Sequence, residues 1–161
     1  MRTVVFGAGA IGSVIGAQLA RAGQDVVLIA RPAHAINAHG LKLWRPEGEQ
    51  LVRVPATTAL AQLDLLHRDL VVLLCVKGQD TTAALAQIAD AIGTRTPVFC
   101  CQNGVGNEAL AARDFSRVYG VVVNAPGQFH EPGVCTTPAT TSQATLGWAA
   151  TRPGSTTLPA A

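Results

Sequence analysis

The feature that most constrains this chain is a glycine pattern set between two short apolar runs at its start. Thr3-Val4-Val5-Phe6 is apolar and β-branched, the signature of a buried strand. Gly7-Ala8-Gly9-Ala10-Ile11-Gly12 follows directly and forms a G-x-G-x-x-G. Past it, Ile11, Val14, Ile15 and Leu19 fall on one face at helical spacing, and Gly23 ends the helix they predict. Val26-Val27-Leu28-Ile29 is a second buried strand, so the stretch is one βαβ unit with glycines at its first turn. Gly7 allows the tight turn, Gly9 lets backbone approach a pyrophosphate, and Gly12 lets helix pack close to strand. The loop from Gly7 to Gly12, with Ala8, Ala10 and Ile11, would hold that pyrophosphate at a helix N-terminus, where free N–H groups and the positive dipole end favour anions. A tight turn without a ligand is the alternative. The strand before, the helix after and the strand beyond are the context that dinucleotide binding requires.

The end of the second strand bears on which dinucleotide. An NAD site usually places Asp or Glu there to accept hydrogen bonds from the adenosine ribose. Here the strand ends in Ala30-Arg31, and Arg31 lies nineteen positions after Gly12, where the ribose-reading residue belongs. A guanidinium can grip a 2′-phosphate through a charge-assisted fork, so NADP is the expected cofactor. The alternative for Arg31 is a solvated surface arginine.

Strand and helix signals alternate onward. Pro32 to His39 reads as a short helix ended by Gly40. Leu41 to Trp44 and Leu51 to Val54 alternate apolar with polar around a turn from Arg45 to Gln50, which predicts a hairpin over about 41–54 beside the main sheet. Ala56 to Leu66 could hold a short helix. Leu70 to Val76 is the most apolar run and predicts a central strand, with Lys77 at its carboxyl end. Thr81 to Ile92 reads as a helix closed by Gly93, Pro97 to Cys101 as a strand delivering Gln102 to Asn107, Glu108 to Arg113 as helix and Val118 to Val123 as strand. Beyond Ala125-Pro126-Gly127 the pattern is β-like and Thr-rich, with a turn at Pro132-Gly133. The expected fold is α/β, a doubly wound, Rossmann-type, mostly parallel sheet, spanning 1–150 as one domain. Residues 151–161 read as a disordered tail or the start of a further segment. In such sheets ligands sit outside the carboxyl ends of the strands, and Gly7, Arg31, Lys77, Asn103 and Asn124-Ala125 all follow strands at that edge.

Composition agrees with a two-sided sheet: 48% of the 161 residues are hydrophobic and 14% charged. A net charge of +2 is too small to argue for nucleic acid or a membrane surface. No signal peptide is expected, because Met1-Arg2 runs straight into the first strand, and no apolar run reaches the roughly 18 residues of a membrane span. Cys75, Cys100, Cys101 and Cys135 show no metal spacing and read as buried reduced thiols. The dispersed His34, His39, His67 and His130 form no ligand set. A cytoplasmic protein is expected.

Several of these motifs together resemble the N-terminal half of the ketopantoate reductase (2-dehydropantoate 2-reductase) family. They are G-A-G-A-I-G at Gly7–Gly12, L-I-A-R ending at Arg31, C-V-K-G-Q-D at Cys75–Asp80 and Q-N-G-V-G-N at Gln102–Asn107. Gly120 to Ala125 and Pro132-Gly133-Val134 are similar too, and the likeness runs over nearly all of the first 147 residues. The resemblance implies reduction of ketopantoate to pantoate with NADPH, on the route to pantothenate and coenzyme A. It implies that the glycine loop holds the pyrophosphate, Arg31 the 2′-phosphate, and that Lys77 lies along the cofactor. Asn103 would touch cofactor and substrate near the nicotinamide, and Ala125 would contact the cofactor through its backbone. On the residues alone, Lys77 reads equally as a lysine snorkelling from a buried strand, and Asn103-Gly104 equally as a plain turn.

The family's second, helical domain carries the lysine thought to act as general acid, a substrate-binding glutamate and much of the contact of a homodimer. No lysine follows Lys77 here, so no residue matches the catalytic one. The chain reads as a cofactor-binding half, inactive alone. The other readings are a noncatalytic NADP-binding module and the cofactor domain of a related 2-oxo acid or alcohol dehydrogenase, since fold does not fix substrate.

Overall fold

In the computed structural model, residues 1–63, 69–124, 127–137 and 145–150 are described. The first βαβ unit is β1 (Arg2–Phe6), α1 (Ala10–Arg21) and β2 (Val26–Ile29), as the apolar runs and glycines predict. α2 (Ala33–His39) follows, ended by Gly40 at φ +79, and then the hairpin β3 (Leu41–Arg45) and β4 (Gly48–Val52). Next come β5 (Ala56–Thr57), a 3-10 turn at Leu60–Gln62, β6 (Leu70–Leu74) and a second 3-10 turn at Gly78–Asp80. α3 (Thr81–Ile92), β7 (Val98–Cys100), α4 (Asn107–Ala111) and β8 (Val118–Asn124) continue the alternation. β9 (Gln128–Glu131), β10 (Val134–Thr136) and β11 (Thr145–Ala150) complete it.

The main sheet has seven strands in the order β11-β8-β7-β6-β1-β2-β5. All its pairings are parallel except that of β11 with β8. Strand order reverses between β1 and β6, the switch point outside which such sheets bind ligands. Residues alternate strictly between two cores. Val4, Phe6, Val27, Ile29, Val72 and Leu74 pack with Ala84, Leu85 and Ile88 of α3 and Ala111 of α4. Val5, Val26 and Leu28 pack with Val14 and Ala17 of α1 and Ile36 of α2. Burial on both faces explains why these strands read as continuous apolar runs rather than alternating ones.

Four expectations need correction. The hairpin turn is tighter than the Arg45–Gln50 stretch, because Arg45 already pairs with Gly48; Arg53 and Val54 lie past the strand. The hairpin is also only half of a second sheet, β4-β3-β10-β9, in which β10 runs parallel to β3. The helix expected from Ala56 begins instead as β5, an edge strand whose Ala56 is held at both backbone groups by the Asn37 amide (2.8 and 2.9 Å). Only a 3-10 turn follows, and Asp64 to Leu66 lie outside the described residues. Finally, the tightly buried part of α1 is Gly12 to Ala17, while Ile11 and Leu19 are half-buried. The cause is the second sheet: Leu41, Leu43, Val52 and Cys135 cover α1 from the side away from the main sheet. The helix is therefore sandwiched, and its small residues are what fit. The tail at 151–161 lies outside the described residues.

Candidate dinucleotide site

Gly7 leaves β1 at φ +108, a left-handed conformation that favours glycine. Its N–H donates to the Ile29 carbonyl at 2.9 Å, and a Cβ on it would lie 2.9 Å from the Val76 nitrogen. The turn is thus wedged between the ends of β2 and β6. Gly12 faces back on it: a Cβ there would sit 1.9 Å from the Gly7 carbonyl oxygen and 3.1 Å from the Cys75 Cβ. Close packing at Gly12 is therefore against the turn and the end of β6. The glycine that lets α1 approach a strand is Gly16, where a Cβ would stand 2.5 Å from Leu28 Cδ2; the sequence reading missed it.

Gly9 differs from both. It is exposed, sits at the N-cap of α1 with φ −80, and a Cβ on it would meet no described atom within 4 Å. No described side chain caps α1, and its first turn holds no acid. This open, positively polarised helix end fits a pyrophosphate. Beside Gly12, Cys75 is half-buried rather than buried as expected, unlike Cys100, Cys101 and Cys135, and its thiol is pushed well above its ordinary value by the neighbouring Cys101 thiol first and then by desolvation.

Arg31 follows the end of β2 and Lys77 the end of β6; both are exposed and form no ion pair with described residues. The structure brings Lys77 to the glycine turn through its neighbour Val76, which Gly7 abuts. On its other side, a Cβ on Gly78 would lie 3.6 Å from Asn107 Oδ1, at the far end of the Asn103 loop. Asn103, Gly104, Val105 and Gly106 are all exposed, with Gly104 at φ +92 and Gly106 at φ +100. Loop, cations and Asn103 therefore share one edge of the sheet. Ala125 lies outside the described residues. Just beyond it, Gly127 rests on the first turn of α1, where a Cβ would be 3.5 Å from the Ala10 carbonyl oxygen.

The sequence reading assigned no role to the side chains under the Asn103 loop. Gln102 Nε2 donates to Thr81 Oγ1 at 2.7 Å, and Thr81 Oγ1 donates to Asn107 Oδ1 at 2.9 Å, all three residues being buried. Among the described residues no group of His, Cys, Asp or Glu could hold a metal ion, and no helix is long and apolar enough to cross a membrane.

A doubly wound sheet with an open glycine turn at its switch point defines a Rossmann-type dinucleotide-binding domain. Residues 3–151 match the family described as ketopantoate reductase PanE/ApbA, and the chain belongs to that family. A 2-dehydropantoate 2-reductase of Mesorhizobium japonicum is 44% identical over 108 residues, covering 65% of this chain and 32% of that protein. One from Pyrococcus horikoshii is 36% identical over 136 residues, covering 83% and 43%. The solved PanE/ApbA family ketopantoate reductase from Ralstonia eutropha superposes with a TM-score of 0.76 at 34% identity, over 85% of this chain and 46% of that one. A D-mandelate dehydrogenase solved with NADH has the same TM-score at 24% identity, a likeness of fold. The chain spans about a third to under half the length of these curated relatives.

Proposed function

We propose that this chain binds NADPH as the cofactor half of a cytoplasmic enzyme that reduces ketopantoate to pantoate, with residues 1–150 forming the cofactor domain. The observation that carries the reading is the open N-terminus of α1 at Gly9, flanked along one sheet edge by the exposed cations Arg31 and Lys77, which form no ion pair with described residues. The backbone from Gly7 to Gly12 holds the pyrophosphate, Arg31 the 2′-phosphate, and Lys77 lies along the cofactor. Asn103 stands at the nicotinamide end, where its amide can hydrogen-bond both cofactor and substrate; Ala125 adds a backbone contact. The nicotinamide, when bound, supplies the hydride. Charge then builds on the ketone oxygen and must be met by a proton donor. No lysine follows Lys77, so that donor comes from outside these residues and the chain alone binds without turnover. In the whole enzyme, a homodimer is the expected assembly.

Titration of NADPH and NADH against the wild type and Arg31→Ala tests the reading. Hydrogen bonds to charged groups are worth ~1.5–3 kcal/mol, so the wild type should prefer NADPH roughly 10- to 150-fold and the variant should lose that preference. Equal affinities in the wild type would remove the case for NADP.

A further inference from the structure

Resting on the dinucleotide reading above, we propose that Thr81 is the positioning residue of the Asn103–Gly106 loop, its single hydroxyl stapling both ends of the segment that meets the nicotinamide. Gln102 immediately precedes the loop and Asn107 immediately follows it, and both bond to Thr81 Oγ1. Thr81 is fully buried at the start of α3. The direction of the relay is fixed, because a hydroxyl with one proton accepts from the Gln102 amide and donates to the Asn107 carbonyl oxygen.

The loop between these anchors has little else to hold it. Val105 is 91% exposed, and a Cβ on Gly104 or Gly106 would meet no described atom within 4 Å. Its place is therefore set at its two ends. Thr81 is also the first residue of the helix that follows the Lys77–Asp80 turn, where the Asp80 N–H donates to the Lys77 carbonyl at 2.8 Å. Thr81 thus ties the Lys77 turn to the Asn103 loop.

The relay is not a cheap way to fill space. Gln102 is 8% exposed, and its Oε1 is buried without a hydrogen bond from any described residue. A buried unsatisfied acceptor destabilises, and an apolar side chain of the same shape would avoid that loss. What the amide adds is a directed bond to Thr81, and with it one loop geometry.

The test compares NADPH with 2′-phospho-ADP-ribose, the same ligand without its nicotinamide, on the 161-residue chain. Thr81→Val keeps the shape and removes the hydroxyl; it should weaken NADPH roughly 3- to 10-fold and leave 2′-phospho-ADP-ribose within about twofold. Thr81→Ser keeps the hydroxyl and should restore NADPH binding. Gln102→Met removes the donor together with the orphaned oxygen, so it should fold at least as well and show the same selective loss. Equal weakening of both ligands would mean that the relay only holds the fold, and overturns the proposal. So would normal NADPH binding by stable Thr81→Val or Gln102→Met, or a wild type that binds the two ligands equally. A wild type that binds neither overturns the dinucleotide reading itself, and this inference with it.

Discussion

The same substitution placed three residues apart in the glycine turn should have opposite effects. At Gly9 the backbone is extended (φ −80, ψ −161), which any residue adopts, and an added methyl meets no described atom within 4 Å. Alanine at an N-cap is poorer than glycine by up to about 1 kcal/mol, and restricting the unfolded chain returns ~0.4–1 kcal/mol. Gly9→Ala should therefore leave stability within about 1 kcal/mol of the wild type. If the proposed pyrophosphate site is right, its methyl would stand in the phosphate's path, and loss of one charge-assisted bond of ~1.5–3 kcal/mol predicts a roughly 10- to 150-fold drop in NADPH affinity. At Gly12 the methyl would sit 1.9 Å from a backbone oxygen and 3.1 Å from the Cβ of Cys75. Neither wall is a flexible tip, so α1 must shift, disturbing the fully buried Ala17 and the 3.2 Å bond from Ser13 Oγ to the Ala8 carbonyl. Overpacking of this kind costs ~1–3 kcal/mol. For a chain of this length that lowers Tm by roughly 2–12 °C, at ~2–4 °C per kcal/mol. Thermal denaturation and NADPH titration on both variants read the two effects separately. Wild-type affinity in Gly9→Ala would put the phosphates elsewhere, and an unchanged Tm in Gly12→Ala would contradict the contact of α1 with the turn.

Alkaline pH should destabilise the fold through its thiols. Burial first, then Glu108 and Cys101, push the Cys100 thiol from 9.0 up to about 12. Because the folded value is raised, its contribution is full below pH 9 and is lost as pH rises from 9 towards 12, the unfolded chain ionising first. At pH 10 the loss is about 1.4 kcal/mol, and Cys100→Ala should remove that part of the slope in denaturant titrations at pH 8 and 10; identical slopes would refute the assignment. Gly16→Ala should cost ~1–3 kcal/mol by driving a methyl into Leu28, and Leu28→Ala ~2–5 kcal/mol by opening the core. The double variant should cost less than the sum by at least about 0.5 kcal/mol, and strict additivity would mean the two do not touch.

What was legible in the sequence was what repeats locally. β1, α1, β2, α3 and β8 each announce themselves by apolar period and a glycine or proline boundary, and the shared carboxyl edge follows from their alternation. Hydrophobic periodicity gives weight to Ile11 and Leu19, whereas this helix, held between two sheets, is buried from Gly12 to Ala17 and meets strand β2 at Gly16. β5 is two residues long and is placed by its pairing with β2 and by the Asn37 amide, 19 residues back, neither of which a local window reveals. β10 pairs with β3 at Val134 and Lys42, 92 positions apart, so the second sheet has no local signature. Thr81 likewise finds its partners 21 and 26 residues away. The motif letters Gln102 and Asn107 were visible; the hydroxyl that joins them was not.

These differences bear on how the two ends of a bound dinucleotide would be held. The glycine turn is fixed by backbone: Gly7 is wedged between β2 and β6, Gly12 closes on Gly7, and α1 behind them is clamped between two sheets. Interiors packed this way deform little, so the end proposed for the pyrophosphate is preformed and would cost little ordering on binding. The Asn103 loop is exposed along its length and rests on a three-member side-chain relay, one of whose acceptors has no hydrogen bond from the described residues. Local stability falls where contacts are few, so this end yields first. Affinity should therefore reside mainly in the glycine turn and Arg31, and orientation of the nicotinamide in Thr81 and the loop it holds. Variants at the first set should weaken 2′-phospho-ADP-ribose and NADPH alike, and those at the second only NADPH.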